Sequence, residues 1–301
     1  MIRIKKILCP IDFSPAALKA ADYAAALAKN YGAKIQLLHV IAPVAYYEYG
    51  LSPVDTIKAM EEASEMKKLV TRLTAKGVSV ESEMRTGDVR DETRRSISAA
   101  KPDLIAMGTH GRRGFARWVM GSVTESMMRH SPVPVLTISA KETITKPVFR
   151  QILVTTDFSE GSADALAYAV SIGETAKSKI TLLHVINRLT VEIPDTYRDM
   201  LVAGAQKELS NLILAAATST SHIVTRVEHG VPYRIILRIL RTEKPDLLVM
   251  NIHGKGMIDR MLVGSTAERV VRAALCPVML IPPMMKKAKA VSKRRETKRS
   301  A

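Results

Sequence analysis

Glycine recurs at positions 108, 111, 114 and 121, followed at once by Ser122, and Arg112, Arg113 and Arg117 stand in the same interval. Glycines at such spacing leave backbone N–H groups uncovered by side chains. Placed between a strand and a helix N-terminus, those groups and the helix dipole attract phosphate oxygens. The flanks predict that placement. Asp103–Met107 is a short apolar run of strand type, and Ser122-Val123-Thr124-Glu125 has the Ser-x-x-Glu pattern of a capping box. A second candidate group lies near the start of the chain, where Pro10-Ile11-Asp12-Phe13-Ser14 sets a carboxylate in a turn. Asp12 there falls at the carboxyl end of a predicted strand, where such sheets hold ligands, or serves only the turn before Ser14. His110 has no carboxylate or cysteine beside it in a metal-ligand pattern. The arrangement points to a cradle for the phosphates of a nucleotide.

The elements that must position these groups occur twice. Ile11-Asp12-Phe13-Ser14 returns as Thr156-Asp157-Phe158-Ser159, and Leu37-Leu38-His39-Val40-Ile41 as Leu182-Leu183-His184-Val185-Ile186, both at an offset of 145. Lys101-Pro102-Asp103-Leu104 returns as Lys244-Pro245-Asp246-Leu247 at an offset of 143, with His253-Gly254 and Gly264-Ser265 following. A period this long is a duplicated domain rather than a solenoid. Each copy alternates strand and helix. In the first, strands are predicted over 4–9, 34–41, 78–84, 103–107 and 133–138. Ser14 caps the first helix, with Pro15 at its first position and Gly32 at its end. Five strands joined by helices imply a doubly wound α/β sheet, parallel and covered on both faces. The expected division is 1–142, 147–284 and a basic tail over 285–301, with the join near Ala140–Pro147.

Composition narrows the functional classes. At 301 residues the chain is long enough for two domains, and its 47% hydrophobic content supports a buried core. No apolar run reaches the roughly 20 residues of a membrane span. No export-type cleavage pattern follows Met1, and Cys9 and Cys276 each precede a proline as small buried residues, so a cytoplasmic protein without a disulfide is expected. The net charge is +16, and seven of those charges come from the tail, where eight Lys or Arg stand against Glu296. Such a tail can contact nucleic acid or an anionic membrane, or simply keep the chain soluble. There is no GxxxxGK[ST], GxGxxG, CxxC or HExxH motif, so a dedicated catalyst is not expected. The histidines of the two Leu-Leu-His-Val segments are read as core residues.

With these motifs in place, the chain resembles the universal stress protein family in its tandem form. The resemblance rests on Gly108-x-x-Gly111, nine residues, then Gly121-Ser122, together with Pro10–Ser14, and on the recurrence of both. It implies a Rossmann-like sheet of order 3-2-1-4-5 in each copy, pairing of the copies through their fifth strands as an internal pseudo-dimer, and an adenine nucleotide such as ATP, with Mg²⁺ accompanying its phosphates. Further self-association of whole chains would also fit. The site it implies in the first copy comprises Pro10, Ile11, Asp12, Val40, Met107, Gly108, His110, Gly111, Arg112, Gly121, Ser122 and Val123. In the second copy the corresponding residues are Thr156, Asp157, Val185, Asn251, Gly254, Gly264, Ser265 and Thr266. Asn251 stands where the first copy has Gly108, so its side chain is expected to crowd the phosphate path and leave the first copy the tighter site. The function implied is that of a nucleotide-binding stress-response regulator or sensor. The alternatives are a slow ATPase and a scaffold without nucleotide whose tail holds nucleic acid or membrane.

Overall fold

A computed structural model describes residues 2–42, 53–109, 121–141, 148–159, 161–174, 176–187, 194–216, 222–252 and 264–282. In the first copy these form β1 (Lys6–Pro10), α1 (Pro15–Tyr31), β2 (Lys34–Ile41), α2 (Pro53–Thr74), β3 (Ser79–Thr86), α3 (Val89–Ala100), β4 (Leu104–Gly108), α4 (Ser122–His130) and β5 (Val135–Ile138). The second copy repeats the series as β6 (Gln151–Thr156), α5 (Ser162–Gly173), β7 (Lys179–Ile186), α6 (Asp195–Ala216), β8 (His222–His229), α7 (Pro232–Thr242), β9 (Leu247–Asn251), α8 (Ser265–Ala273) and β10 (Val278–Ile281).

The strands make one ten-stranded sheet of order β3-β2-β1-β4-β5-β10-β9-β6-β7-β8, which is 3-2-1-4-5 in each copy. Pairing is parallel within a copy and antiparallel across the seam, where Val135, Leu136 and Thr137 face Leu280, Met279 and Val278. Thr137 Oγ1 donates to the Val278 carbonyl across it at 3.1 Å. Behind the seam, Tyr23 of α1 stacks on Phe149 with ring centroids 6.0 Å apart. One face of the sheet is packed by α1, α2, α5 and α6 around Ala20, Ala24, Ala165 and Ala169, and these small residues let the helices lie close. The other face is packed by α3, α4, α7 and α8.

The repeated Lys-Pro-Asp-Leu segment has a mechanical role that motif reading did not assign. Asp103 Oδ2 accepts from the backbone N–H groups of Lys5 and Lys6 (2.7 and 3.0 Å), and Asp246 Oδ2 from those of Arg150 and Gln151 (2.8 Å each). Each carboxylate thus pins the start of the first strand of its copy to the start of the fourth, which sets the register of the two strands whose far ends form the site. Ser14 caps α1 and Gly32 ends it in the left-handed region (φ 63°), as expected.

Several boundaries move. β1 begins at Lys6 and β5 at Val135, later than expected, while β3 runs on to Thr86. The capping box at Ser122 is not formed. Gly121 is the N-cap, and Ser122 is the first helical residue. Glu125 reaches Arg129 one turn on at 2.8 Å and does not turn back to the cap. The residue giving up its carbonyl to the first helical hydrogen bond is Gly121, bonded by Glu125 N–H at 3.0 Å, and glycine has no side chain with which to cap.

Gly108 is required by packing. A Cβ there would lie 2.8 Å from both the Ala16 Cβ and the Ala17 nitrogen at the start of α1. The second copy exchanges the two sizes: Gly161 takes the position of Ala16, and Asn251 that of Gly108. With a side chain on the strand end, α5 begins at Ser162, two residues later than the counterpart of Pro15.

Gly108→Ala should therefore cost about 1–3 kcal/mol in urea unfolding through overpacking, and adding Ala16→Gly should recover part of that loss. Both cysteines are buried. Burial, reinforced by the charge of Asp22, pushes the Cys9 thiol far above its ordinary range. It stays a neutral thiol at pH 7–9, where thiolate is the reactive form. Cys9 should thus react with a thiol reagent only at the rate of unfolding, measured as colour release with and without denaturant.

Candidate functional site

The carboxyl ends of the first and fourth strands lie side by side in each copy, because β1 pairs β4 and β6 pairs β9. In the order 3-2-1-4-5 this is where the sheet reverses direction, the place where doubly wound sheets hold ligands. In the second copy the two ends open into a cavity of about 760 Å³, within the range of small-molecule sites. Seven of the eight residues expected there line it: Thr156, Asp157, Val185, Asn251, Gly264, Ser265 and Thr266. The eighth, Gly254, lies outside the described residues, as do His110, Gly111 and Arg112 of the first copy.

Asn251 does not cross the opening. In the amide orientation that satisfies its neighbours, the side-chain nitrogen donates to the Gly161 carbonyl (2.9 Å), and the oxygen accepts from Ser162 N–H (3.0 Å) and Ser159 Oγ (3.1 Å). The side chain is folded against the start of α5 and supplies that helix with the cap its own N-cap, Gly161, lacks. Hydrogen bonds at the α5 N-terminus thus hold Asn251 to the wall.

The two aspartates sit in matching turns. Asp12 Oδ1 accepts from Ser14 N–H (3.0 Å) and Ser14 Oγ–H (2.6 Å), and Asp157 Oδ1 accepts from Ser159 N–H (3.0 Å). The intervening Phe13 and Phe158 both take φ of 60°, an uncommon conformation for a bulky residue. The turn role is therefore real at both positions. Asp157 also faces the cavity. On the opposite rim, α8 begins at Gly264 with no side-chain cap, and Ser265 is exposed at its first position. The first turn of such a helix presents N–H groups with no partner inside the helix. A carboxylate on one rim, a hydroxyl-bearing helix N-terminus on the other and an apolar wall between them suit a ligand with a polar ring system or sugar at one end and phosphate at the other.

The first copy has the same frame with a different filling. Pro10 closes β1, Ile11 is buried with its N–H donated to the Leu38 carbonyl (2.8 Å), and Met107 is core. Val40 and Val123 pack partly against the core of α3 and α4. Gly121 and Ser122 open α4 as Gly264 and Ser265 open α8. His39 is buried. Its Nδ1 donates to the Ile11 carbonyl at 2.7 Å, and its Nε2 lies 3.0 Å from Oε2 of buried Glu62 on α2. His184 repeats the first bond, Nδ1 to the Thr156 carbonyl at 2.9 Å. The buried positions 62 and 66 of α2 match 205 and 209 of α6, so the counterpart of Glu62 is Ala205. A carboxylate fills the space over His39, whereas Ala205 and His184 line the cavity.

Motif reading missed this second wall, built by Met200, Leu201, Gly204 and Ala205 of α6 and Ile236 of α7. The signal was present in the duplication as the exchange of a buried Glu for an Ala between copies. Among the described residues no group of three His, Cys, Asp or Glu is placed to hold a metal ion, and no helix is long and apolar enough to cross a membrane.

Known proteins resemble this chain over more than nine-tenths of its length. It is 26% identical to a universal stress protein of Mycolicibacterium smegmatis over 298 residues, 92% of this chain and 97% of that one. It is 28% identical over 305 residues to one of Mycobacterium tuberculosis, covering 91% and 95%. The crystal structure of a universal stress protein from Archaeoglobus fulgidus superposes with a TM-score of 0.68 at 24% identity, covering 93% of this chain and 97% of that one, and so shares the fold. The universal stress protein family profile matches twice, over residues 3–139 and 149–282. On a double match that takes in both halves of the sheet, this chain belongs to the universal stress protein family and carries its domain in tandem.

Proposed function

We propose that the protein binds an adenine nucleotide, ATP or a close relative, in the cavity of its second copy and acts in the cytoplasm as a nucleotide-dependent regulator or sensor of stress. The observation that carries the reading is the convergence of Asp157 and the Ser265-bearing start of α8 on one cavity that Leu183, Val185, Met200, Leu201 and Ile236 wall with apolar surface. In this reading the base rests against Val185 and the α6 wall. Asp157 accepts from the base or ribose. The phosphates meet the N–H groups of Ser265 and Thr266 at the positive end of α8, with the Ser265 hydroxyl as a further donor. Mg²⁺ would ride on the phosphates, since a nucleotide-bound Mg²⁺ keeps several waters and needs few protein ligands. The ranking of the copies is thereby reversed from the sequence expectation, because Glu62 occupies in the first copy the space that Ala205 leaves open in the second.

Nothing among the described cavity residues pairs a nucleophile with an orienting base, so binding and conformational response are favoured over turnover. Titration calorimetry with ATP should show binding that Ala205→Glu, which installs the first copy's carboxylate, weakens at least tenfold. Ser265→Ala should weaken ATP about three- to tenfold while leaving adenosine unchanged, since the hydroxyl is assigned to phosphate. Unaltered ATP affinity in Ala205→Glu, in a chain that melts normally, would place the nucleotide elsewhere or remove it.

A further inference from the structure

The two faces of the sheet differ in charge. The helices α3, α4, α7 and α8 on one face carry nine arginines, no lysine and four acidic residues, while α1, α2, α5 and α6 carry eight basic and nine acidic. The arginines are densest on α7. Arg234, Arg238 and Arg241 fall at i, i+4 and i+7 and are exposed, while Ile236, Leu237, Ile239 and Leu240 bury the opposite side of the helix. The spacing sets three guanidinium groups along one helix face over about 10 Å. They line a shallow surface cavity of about 420 Å³ together with Tyr233, Leu237 and Thr242.

The neighbouring charges leave this strip positive. Arg238 pairs with Glu228 at 2.7 Å, but Arg226 of β8 also holds Glu228, and it holds Glu243 at 2.6 Å. Arg234 Nε donates to the Tyr233 hydroxyl at 3.1 Å, and the Arg269 guanidinium of α8 lies 4.6 Å from the Tyr233 ring centroid. The aromatic ring thus holds two cations in place at the edge of the strip.

The first copy provides an internal comparison. A cavity at the matching place on α3 is lined by Asp91, Arg94, Arg95, Ser98 and Ala99. At an offset of 143 these are the counterparts of Arg234, Leu237, Arg238, Arg241 and Thr242, so an acid and a serine stand where the second copy has two arginines. There Asp91 pairs with Arg94, and Glu92 with Arg95.

We infer that the α7 strip is a binding surface for the sugar–phosphate backbone of nucleic acid, separate from the nucleotide cavity and independent of base sequence. Guanidinium forks match phosphate oxygens in two-point contact, which a lysine does not offer. A row of three along one helix suits successive phosphates of a strand. An anionic membrane is the poorer match, because the side chains lining the strip offer no exposed large apolar residue to insert.

The test uses the full chain and a labelled 20-nucleotide single-stranded DNA, with fluorescence anisotropy read from low to moderate salt. The combined change Arg234→Asp and Arg241→Ser gives α7 the first copy's residues. It should lower the slope of log affinity against log salt by about 1.4 for two lost phosphate contacts and weaken binding at least tenfold in low salt. Lys207→Asp with Lys29→Ser alters the net charge equally on the opposite face and should change affinity less than threefold. Equal losses in the two variants, an unchanged slope in the α7 variant, or binding of the unaltered chain to phosphatidylserine vesicles but not to DNA would each overturn the inference.

Discussion

In each copy the first helix starts so close to the end of the fourth strand that one of the two backbones must lack a side chain at the crossing. That constraint governs both candidate sites. In the first copy the strand yields, at Gly108, and α1 starts early behind Pro15 with Ser14 as its cap. In the second the helix yields, at Gly161, and the side chain returned to the strand, Asn251, becomes the cap of the shortened α5. The two solutions preserve the same crossing of strand and helix, and with it the turn that holds Asp12 or Asp157 at the switch point of the sheet.

Around that shared frame the copies have diverged in what fills the space. Glu62 and His39 are a buried hydrogen-bonded pair, and removing one partner of such a pair leaves the other unsatisfied, at a cost of about 1–3 kcal/mol. Ala205 opposite His184 opens a chamber instead. Thr124 of α4 donates to the Gly108 carbonyl at 2.9 Å, and its counterpart Ala267 lines the cavity. Each exchange of a polar residue for alanine widens the second copy. The antiparallel seam of β5 and β10 joins the two differently filled copies in a single continuous sheet.

Much of this was legible in the residues alone. The alternation of strands and helices, the duplication, the helix caps at Ser14 and Gly32 and the strand order through the resemblance all appear in the structure, because periodicity and turn chemistry are local signals. The residues around Asp157 and Gly264 line one cavity, as their positions flanking strand ends suggest. What escaped notice was tertiary. Gly108 looked like a phosphate-loop glycine, yet its lack of a side chain is needed by Ala16 and Ala17, ninety residues earlier. Asn251 looked like an obstruction, because nothing in its neighbourhood of the chain announces Gly161 and Ser162 as partners. The α6 wall was invisible to motif reading, since apolar residues at helical spacing carry no sign of facing a cavity rather than a core. Ser122 was misassigned as a cap because the helix starts one residue earlier than the Ser-x-x-Glu pattern indicates, with Gly121 in the cap position.

The account stands or falls on what the second copy's chamber holds. The most direct measurement is a crystal structure of the full chain grown with Mg²⁺ and ATP. Difference density is expected between Asp157 and Ser265, with the ring system against Val185 and the phosphates over the start of α8. A nucleotide lodged only in the first copy, or a chamber filled by water alone at saturating ATP, would contradict it.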